Sequence, residues 1–353
     1  MIKVLIVDDS PLARELLEHV LSADPEIEVI GCAGNGLEAI AFLEERRPDV
    51  VIMDVYMPGM DGFQATRRIM AERPVPVIIV TATLDPKADS TLFRTLEAGA
   101  LALLPKPPGE GHPDHRQAAD ELVQYVKLMS EVRVVRRPLR PAMQRQRAPA
   151  KDGELPSKIQ IVAIGASAGG PVAVRSILAS LPADFPLPLL VVQHMADEFV
   201  GGFVEWLAGS CAIRVKVAAQ GDPIRPGTAY LAPGGLHMGV DALGRIRLTR
   251  GEAGQYLCPS VSHLFHSMAE RFGEHAVGIL LSGMGSDGAQ GLKEMQEKGA
   301  LTIAQDKESS AVYGMPAEAV KLGAARHVLS PEGIAAMLLT AAGRRLRPRV
   351  GGE

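Results

Sequence analysis

Cysteine is scarce in this sequence, and long apolar runs are missing. Its 353 residues include 3 cysteines that lie far apart with no C-x-x-C spacing, which excludes a disulfide scaffold and a cysteine-built zinc site. No run of about 18 apolar residues occurs, so we expect no membrane insertion. The chain turns acidic early, at Asp8 and Asp9, so we also expect no signal peptide. These features favour a cytoplasmic protein.

An excess of positive charge is missing as well. The chain carries 37 lysines and arginines against 41 aspartates and glutamates, for a formal net charge of −4. Proteins that act on nucleic acid usually present a basic field, so the sequence argues against nucleic acid as a partner. With 47% hydrophobic and 22% charged residues, the composition is typical of folded protein, and the length suits about two domains.

A basic, proline-containing stretch divides the chain. Residues 131–151 hold seven arginines or lysines against one acidic residue, Glu131. Such a segment cannot bury enough apolar surface to fold alone, and its like charges keep it extended. We interpret it as a solvated tether rather than a nucleic-acid-binding arm, because it has no aromatic residues for base stacking. The predicted organisation is a domain at 1–128, a linker at 129–157, a second domain at 158–345 and a disordered tail at 346–353.

Short apolar runs alternate with helix-length amphipathic stretches on both sides of the linker. Such runs indicate parallel strands buried on both faces of a sheet, and the alternation indicates doubly wound α/β folds. The first domain is predicted to be a doubly wound parallel sheet, and the second to be α/β with a mainly parallel sheet. The strands that can be placed are residues 4–7, 50–53, 77–80 and 101–104, then 159–164, 189–193, 277–281 and 301–304. Helices are predicted at 12–21, 36–46 and 89–98.

Charged side chains follow the predicted strands of the first domain. Asp8 and Asp9 follow the predicted strand at 4–7, Asp54 follows the strand at 50–53, and the strands at 77–80 and 101–104 lead to Thr81 and Lys106. The carboxyl ends of parallel strands share one edge of a sheet. Three carboxylates there repel one another unless a hard cation such as Mg²⁺ lies among them. Asp54 is then the predicted phosphate acceptor, with Lys106 neutralising charge and the Thr81 hydroxyl contacting the phosphoryl oxygens.

This set of residues resembles the response-regulator receiver domain over residues 1 to about 125, which implies a flavodoxin-like fold with five parallel strands for the first domain. The resemblance implies that Asp8, Asp9, Asp54 and the backbone carbonyl of Tyr56 bind the metal. Tyr56 stands where an amide or acidic side chain is common, and Leu103 replaces a frequent aromatic. The motifs are Asp8-Asp9, Asp54-Val-Tyr-Met-Pro-Gly-Met-Asp-Gly62, Thr81-Ala82 and Lys106-Pro107.

A small-residue turn follows the first strand of the second domain. The segment Gly165-Ala-Ser167-Ala-Gly169 fits G-x-S-x-G, in which glycines allow a sharp turn that exposes the serine oxygen near a helix N-terminus. The predicted strand-turn-helix context is present. Ser167 is therefore a candidate nucleophile, the alternative being a tight turn with an incidental serine.

A serine nucleophile needs a base and an orienting acid. His194 ends the next strand, and Asp287 lies in a glycine-rich turn after a later one. The chain order serine, histidine, aspartate differs from that of α/β-hydrolases, so a triad here would sit on another fold. His237 is the alternative base, although it follows a turn rather than a parallel strand.

Two other patterns in this domain suggest different chemistry. Gly283-x-Gly285-x-x-Gly288 with a later Asp306 resembles a dinucleotide-binding fingerprint, but Asp287 inside that turn would repel a pyrophosphate. His263 and His266 have the spacing of metal ligands on a helix, yet no third ligand is evident. We therefore interpret both histidines as surface or packing residues.

Five motifs of the second domain occur together: Gly165-Ala-Ser167-Ala-Gly-Gly170, Gln193-His194-Met195, Tyr230-Leu-Ala-Pro233-Gly with His237-Met238, Gly283-Met284-Gly-Ser-Asp287-Gly288 and Ala304-Gln305-Asp306. With the receiver and linker, they resemble the chemotaxis protein-glutamate methylesterase (CheB) family over nearly the whole chain. The resemblance implies Ser167 as nucleophile, His194 as base and Asp287 as orienting acid. It also implies oxyanion contacts from the backbone N–H groups of Met284 and Ala168.

The family resemblance further implies a substrate and partners. These are glutamyl methyl esters on methylated chemoreceptors, often with deamidation of glutamines, and a CheA-type histidine kinase as phosphodonor. No organic cofactor is expected, and Mg²⁺ belongs to the receiver alone. The sequence departs from the family at Cys258 and Ser262, where arginine and aspartate are usual. The alternatives are a non-enzymatic response regulator whose second domain binds a partner, and a paralogue acting on another receptor array.

Overall fold

The computed structural model describes residues 1–82, 89–132, 134, 159–251 and 257–343. The chain divides into two compact units, Met1–Arg145 and Gln146–Glu353. Most of the predicted linker at 129–157 and the predicted tail at 346–353 lie outside the described residues, so their boundaries stay predictions. None of the helices in the described ranges combines the length and the hydropathy needed to cross a membrane.

The first unit is a five-stranded parallel sheet with the strand order β2-β1-β3-β4-β5. This confirms the predicted flavodoxin-like fold. The strands are β1 (Ile2–Val7), β2 (Ile27–Ala33), β3 (Val50–Met53), β4 (Val77–Thr81) and β5 (Ala102–Pro105). The helices are α1 (Pro11–Ser22), α2 (Gly36–Glu45), α3 (Gly62–Glu72), α4 (Asp89–Ala98) and α5 (His115–Ser130).

Local chemistry explains where several of these elements begin. Ser10, Asn35 and Asp61 cap α1, α2 and α3, because each side chain accepts a backbone N–H from the first turn of its helix. β3 and β4 are buried throughout, which is why their apolar runs are continuous. β2 lies at a sheet edge and is only partly buried, so it lacks such a run and could not be placed from sequence.

The second unit is a seven-stranded parallel sheet with the order β14-β13-β12-β6-β7-β9-β8. A separate antiparallel hairpin is formed by β10 and β11. The strands are β6 (Ile161–Ala166), β7 (Leu189–Gln193), β8 (Arg214–Val217), β9 (Thr228–Leu231), β10 (Leu236–Val240), β11 (Ile246–Arg250), β12 (Ala276–Leu280), β13 (Leu301–Gln305) and β14 (His327–Leu329). The helices are α6 (Gly170–Ala179), α7 (Asp197–Ala208), α8 (Val261–Phe272), α9 (Ala289–Glu297), α10 (Met315–Lys321) and α11 (Pro331–Ala341).

The predicted strand at 159–164 was wrong by two residues at each end, since β6 spans Ile161–Ala166. Gly165 was assigned to the turn, but it continues the ladder to both neighbouring strands, facing Leu280 and Val192. A helix packs against it there. An ideal Cβ on Gly165 would lie 2.1 Å from Cγ1 of Val261, the first residue of α8. Gly165 is therefore a strand residue that leaves room for α8.

We expect Gly165→Ala to destabilise the second unit by about 1–3 kcal/mol, because an added methyl overpacks a site that has no space for it. Urea unfolding followed by the fluorescence of Trp206, the 1 tryptophan of the chain, measures this unit alone. Gly201→Ala in α7 is the control, because nothing lies within 4 Å of its Cβ position; it should raise stability slightly. Equal stability of Gly165→Ala and wild type would contradict the close packing of α8 on β6.

Candidate functional site

Three carboxylates meet at the carboxyl edge of the first sheet. Asp8 and Asp9 follow β1 and Asp54 follows β3, and their ligand oxygens lie within 4.8 Å of one another. Lys106 Nζ lies 2.6 Å from Asp8 Oδ2 and 3.1 Å from Asp54 Oδ2. The structure thus brings together the four charged residues that the sequence placed at this edge.

The charges at this edge do not balance. Burial is the main reason that the pKa of the Asp54 carboxyl is raised above its ordinary value; Lys106 lowers it and Asp8 raises it further. Three carboxylates against one ammonium leave an excess of two negative charges, which a divalent cation matches. Oxygen ligands of this kind suit Mg²⁺. The residues therefore fit the metal that the receiver resemblance implies.

The remaining receiver residues flank this cluster. Thr81 is the last residue of β4 and is buried, and its carbonyl accepts the backbone N–H of Lys106 at 3.0 Å. Tyr56 is half-buried two residues after Asp54, and the role of its carbonyl as a metal ligand stays a prediction. Gly62 has a structural role that sequence reasoning missed. A Cβ there would lie 2.1 Å from the Asp54 carbonyl oxygen, so glycine is needed beside Asp54.

Ser167 lies in the turn between β6 and α6, as predicted. It is buried, and its backbone N–H donates to the Ser282 carbonyl at 3.0 Å. Gly169 has φ +71°, a left-handed conformation that favours glycine and closes the turn into α6. A Cβ on Gly283 would lie 2.7 Å from Ser167 Cβ. The loop after β12 therefore packs directly against the serine.

His194 and Asp287 form the direct side-chain pair of this site. His194 Nε2 lies 2.9 Å from Asp287 Oδ2, and the two side chains are only 8% and 9% exposed. The His194 backbone N–H donates to the Ala166 carbonyl at 2.9 Å, which places His194 beside Ser167 at the ends of neighbouring strands. Asp287 thus fixes one nitrogen of the imidazole ring, and Nδ1 is left to act as an acceptor.

The beginning of α8 also holds Asp287. Its carboxylate accepts the Ser260 hydroxyl at 3.0 Å, the Val261 N–H at 2.7 Å and the Ser262 N–H at 3.0 Å. Burial alone would raise the pKa of Asp287, but the hydrogen bonds from His194 and Ser262 outweigh it and hold the pKa well below its ordinary value. Asp287 therefore stays ionised wherever the protein is folded near neutral pH.

In the part of the chain that the structure describes, the groups predicted to take part in the reaction are left available. Within the described ranges, the Ser167 hydroxyl makes no hydrogen bond, and a nucleophile–base hydrogen bond is often long before substrate binds. Over the same ranges, the backbone N–H groups of Ala168 and Met284 have no hydrogen-bond acceptor. Both belong to the loops that surround Ser167, so each is available to a substrate oxygen.

The alternative base, His237, occupies a different place. It is buried in β10, its Nδ1 accepts the Ser260 N–H at 3.1 Å, and its ring stacks on His263 at a centroid distance of 4.8 Å. His266 lies 2.8 Å from Glu294 at the surface. These contacts match the packing and surface roles that we expected for His263 and His266, and they give His237 a supporting contact with Ser260.

Sequence reasoning missed the contribution of α8 to the site. Ser260 caps α8 by accepting the His263 N–H at 3.3 Å, and a serine before an amphipathic stretch was the available signal. The Ser262 hydroxyl accepts the Gly288 N–H at 2.8 Å. In the dinucleotide-type motif, Asp306 accepts the Ser309 N–H at 2.9 Å and closes a loop of its own.

Known proteins resemble the chain over nearly its whole length. It is 51% identical to protein-glutamate methylesterase/protein-glutamine glutaminase 1 of Syntrophus aciditrophicus, with 97% of this chain and 99% of that protein covered. It is 50% identical to protein-glutamate methylesterase/protein-glutamine glutaminase 4 of Geobacter metallireducens, with the same shares of 97% and 99%. The crystal structure of the Thermotoga maritima CheB methylesterase catalytic domain matches with a TM-score of 0.50 and 34% identity, covering 52% of this chain and 98% of that one.

The fold and the site define a response regulator that carries a hydrolase domain. Residues 4–113 match the response regulator receiver domain, and residues 162–338 match the CheB methylesterase family. The chain belongs to the CheB methylesterase family. The family resemblance drawn from the motifs is thereby confirmed.

We expect Asp287→Asn to lower the free energy of unfolding of the second unit by about 2–4 kcal/mol at neutral pH, because a buried charged acceptor is replaced by an amide that faces donors. The folded-state pKa of Asp287 is lowered, so this wild-type advantage is complete above the unfolded pKa of about 3.9 and shrinks as pH falls below it. Urea unfolding followed by Trp206 fluorescence across this pH range measures it.

Asp197→Asn is the matched control for this substitution. Asp197 is exposed at the start of α7 and accepts the Gly234 N–H, so its replacement should change stability by less than about 1 kcal/mol. A stability difference between wild type and Asp287→Asn that stays constant or grows at low pH would contradict the assignment of the lowered pKa to Asp287.

Proposed function

We propose that this chain is a phosphorylation-activated serine esterase that hydrolyses glutamyl methyl esters on the cytoplasmic regions of chemoreceptors and deamidates glutamines at similar positions. The observation that carries the proposal is the part-buried His194–Asp287 pair beside Ser167 at one sheet edge. The names of the relatives, which pair a protein-glutamate methylesterase with a protein-glutamine glutaminase, support the substrate class. They disfavour a non-enzymatic second domain.

The proposed reaction begins at Ser167. Its oxygen attacks the ester carbonyl carbon while its proton passes to Nδ1 of His194, the nitrogen that does not face Asp287. The proton then moves to the methoxy oxygen, the acyl C–O bond breaks and methanol leaves. Water, deprotonated by the same nitrogen, then attacks the acyl carbon. The bond between that carbon and the Ser167 oxygen breaks, the proton returns to the Ser167 oxygen, and glutamate is released. With a glutamine substrate the leaving group is ammonia.

Backbone groups stabilise the oxyanion in this scheme. The N–H groups of Ala168 and Met284 flank Ser167 and donate to the oxygen that becomes negative in the tetrahedral intermediate. The adjoining Gly283 is held in place, because its N–H donates to the Val312 carbonyl at 3.0 Å and its carbonyl accepts the Met315 N–H at 2.9 Å. Donors fixed in this way need no rearrangement during the reaction.

The receiver supplies control through Asp54. When bound, Mg²⁺ supplies positive charge to the transferring phosphoryl group, and Asp8, Asp9, Asp54 and the Tyr56 carbonyl would hold it. A CheA-type histidine kinase is the proposed phosphodonor, with Thr81 and Lys106 contacting the phosphoryl oxygens. We propose that residues 129–157 tether the receiver at a high effective concentration near the esterase. In this proposal the unphosphorylated receiver inhibits the esterase domain, and phosphorylation of Asp54 relieves that inhibition.

Ser167→Ala should lower kcat for methanol release from methylated receptor by about 10³-fold or more, since loss of a triad nucleophile typically costs this much. The variant should remain folded, because the interactions described for Ser167 are made by its backbone. Ser176→Ala in α6, where the hydroxyl contacts Glu332 at the surface, is the control and should match wild type. A Ser167→Ala enzyme with more than a tenth of the wild-type kcat would rule out this nucleophile.

Acetyl phosphate with Mg²⁺ should phosphorylate Asp54, because its carboxylate and Lys106 are already in contact. Methanol release should then increase several-fold, because phosphorylation relieves inhibition by the receiver. Asp54→Asn should remove both the label and the stimulation. Asp49→Asn is the control, since Asp49 lies before β3 and its side chain accepts the Lys3 N–H at the opposite end of the strand. Labelling that persists in Asp54→Asn would move the acceptor to Asp8 or Asp9.

A further inference from the structure

Gln193 is the last residue of β7 and is 5% exposed. Its side-chain Nε2 lies 2.9 Å from the Ser167 carbonyl oxygen and 3.0 Å from the His194 carbonyl oxygen. One amide nitrogen therefore donates to the backbone of both the nucleophile and the base. It does so just beyond the point where Ala166 and Gln193 make the last pair between β6 and β7.

The chemistry of the two partners fixes the orientation of this amide. Both neighbours are carbonyl oxygens, which only accept hydrogen bonds, so the NH₂ group must face them. The other end, Oε1, is buried and has no hydrogen-bond partner among the described residues. It packs beside Gly170, where an ideal Cβ would lie 2.6 Å from it. Gly170 thus provides the space for Oε1, although Oε1 makes no hydrogen bond there.

A buried acceptor without a partner lowers stability. A methionine of similar length at this position would avoid that cost, so the amide is explained by the two bonds that its nitrogen makes. Those bonds hold the Ser167 and His194 backbones together after the strand ladder has ended. Asp287 orients the imidazole ring, and Gln193 fixes the peptide that carries it.

We propose that Gln193 is a positioning residue for ester hydrolysis, whose amide sets the distance between the nucleophile and the base without contacting substrate. The proposal rests on the proposed function of Ser167 and His194. It goes beyond the triad, because it assigns the relative placement of two triad residues to a side chain on the strand between them.

Gln193→Met tests this directly. We expect kcat for methanol release to fall about 10–100-fold with KM unchanged, because a small misplacement of reacting groups costs this much in rate while substrate binding is untouched. Labelling of Ser167 by a fluorophosphonate, which needs no receptor, should slow by a similar factor. Trp206 fluorescence should show that the variant is folded.

Gln193→Glu adds a readout that a purely structural role would not change. An ionised glutamate would repel both carbonyl oxygens, whereas a protonated one donates one hydrogen bond, and burial favours the protonated form. The ratio of variant to wild-type kcat should therefore rise as pH falls from about 8 to about 6. The ratio for Gln193→Met should stay flat over this range.

Thr302→Val is the matched control. Thr302 is fully buried in β13, and its hydroxyl accepts the Arg326 N–H at 3.2 Å, away from the site, so its loss removes a buried polar contact and should leave kcat unchanged. Gln193→Met with kcat within twofold of wild type, or with a raised KM alone, would overturn the proposal. A wild-type protein that releases no methanol would instead overturn the proposed function.

Discussion

The hydrogen bonds that converge on the Asp287 carboxylate are the interaction on which the second unit depends. They join three separate pieces of chain: the end of β7 through His194, the turn before α9, and the N-terminus of α8 through Ser260 and Val261. The first N–H groups of a helix have no partner within the helix and favour a negative charge. Asp287 satisfies them, so the same carboxylate anchors α8 and orients His194. The packing of α8 on β6 and the geometry of the site consequently depend on the same hydrogen bonds.

The same topological rule builds two opposite electrostatic sites in this chain. Parallel strands bring their carboxyl ends together in each unit. The edge in the first unit holds three carboxylates of like charge, whereas the edge in the second unit holds one carboxylate with its hydrogen-bond donors. At the first, burial raises the pKa of Asp54 and the Lys106 ammonium lowers it. At the second, hydrogen bonds lower the pKa of Asp287. In the proposed function, Asp54 needs a cation before it can attack phosphorus, whereas Asp287 is held ionised and orients the neighbouring His194.

The polar residues at strand ends could be predicted from the sequence more reliably than the full set of strands in each sheet. Fully buried strands such as β3, β7 and β13 read as apolar runs, and the polar residue after each run could be assigned to a shared edge. β2, β8 and β11 are only partly buried, so they leave no such run. Ser260 and Ser262 could not be linked to Asp287 from sequence, because their contacts depend on how α8 packs, and no local pattern encodes that packing.

Cys258 and Ser262, the two departures from the family pattern, remove charged side chains near Asp287 but keep the hydrogen bonds that hold the site. Ser262, where aspartate is usual, still donates its N–H to Asp287 and accepts the Gly288 N–H through its hydroxyl. A second carboxylate at that position would place like charge next to Asp287, and the serine removes it. Cys258, where arginine is usual, keeps its backbone role, since its carbonyl accepts the Gly235 N–H at 3.2 Å. Relative to the family pattern, the two departures remove one acidic and one basic side chain, so they leave the net charge unchanged. Asp287 contacts both His194 and the start of α8 in this chain, so we infer that the two departures act on the charge beside Asp287 rather than on the support of the site.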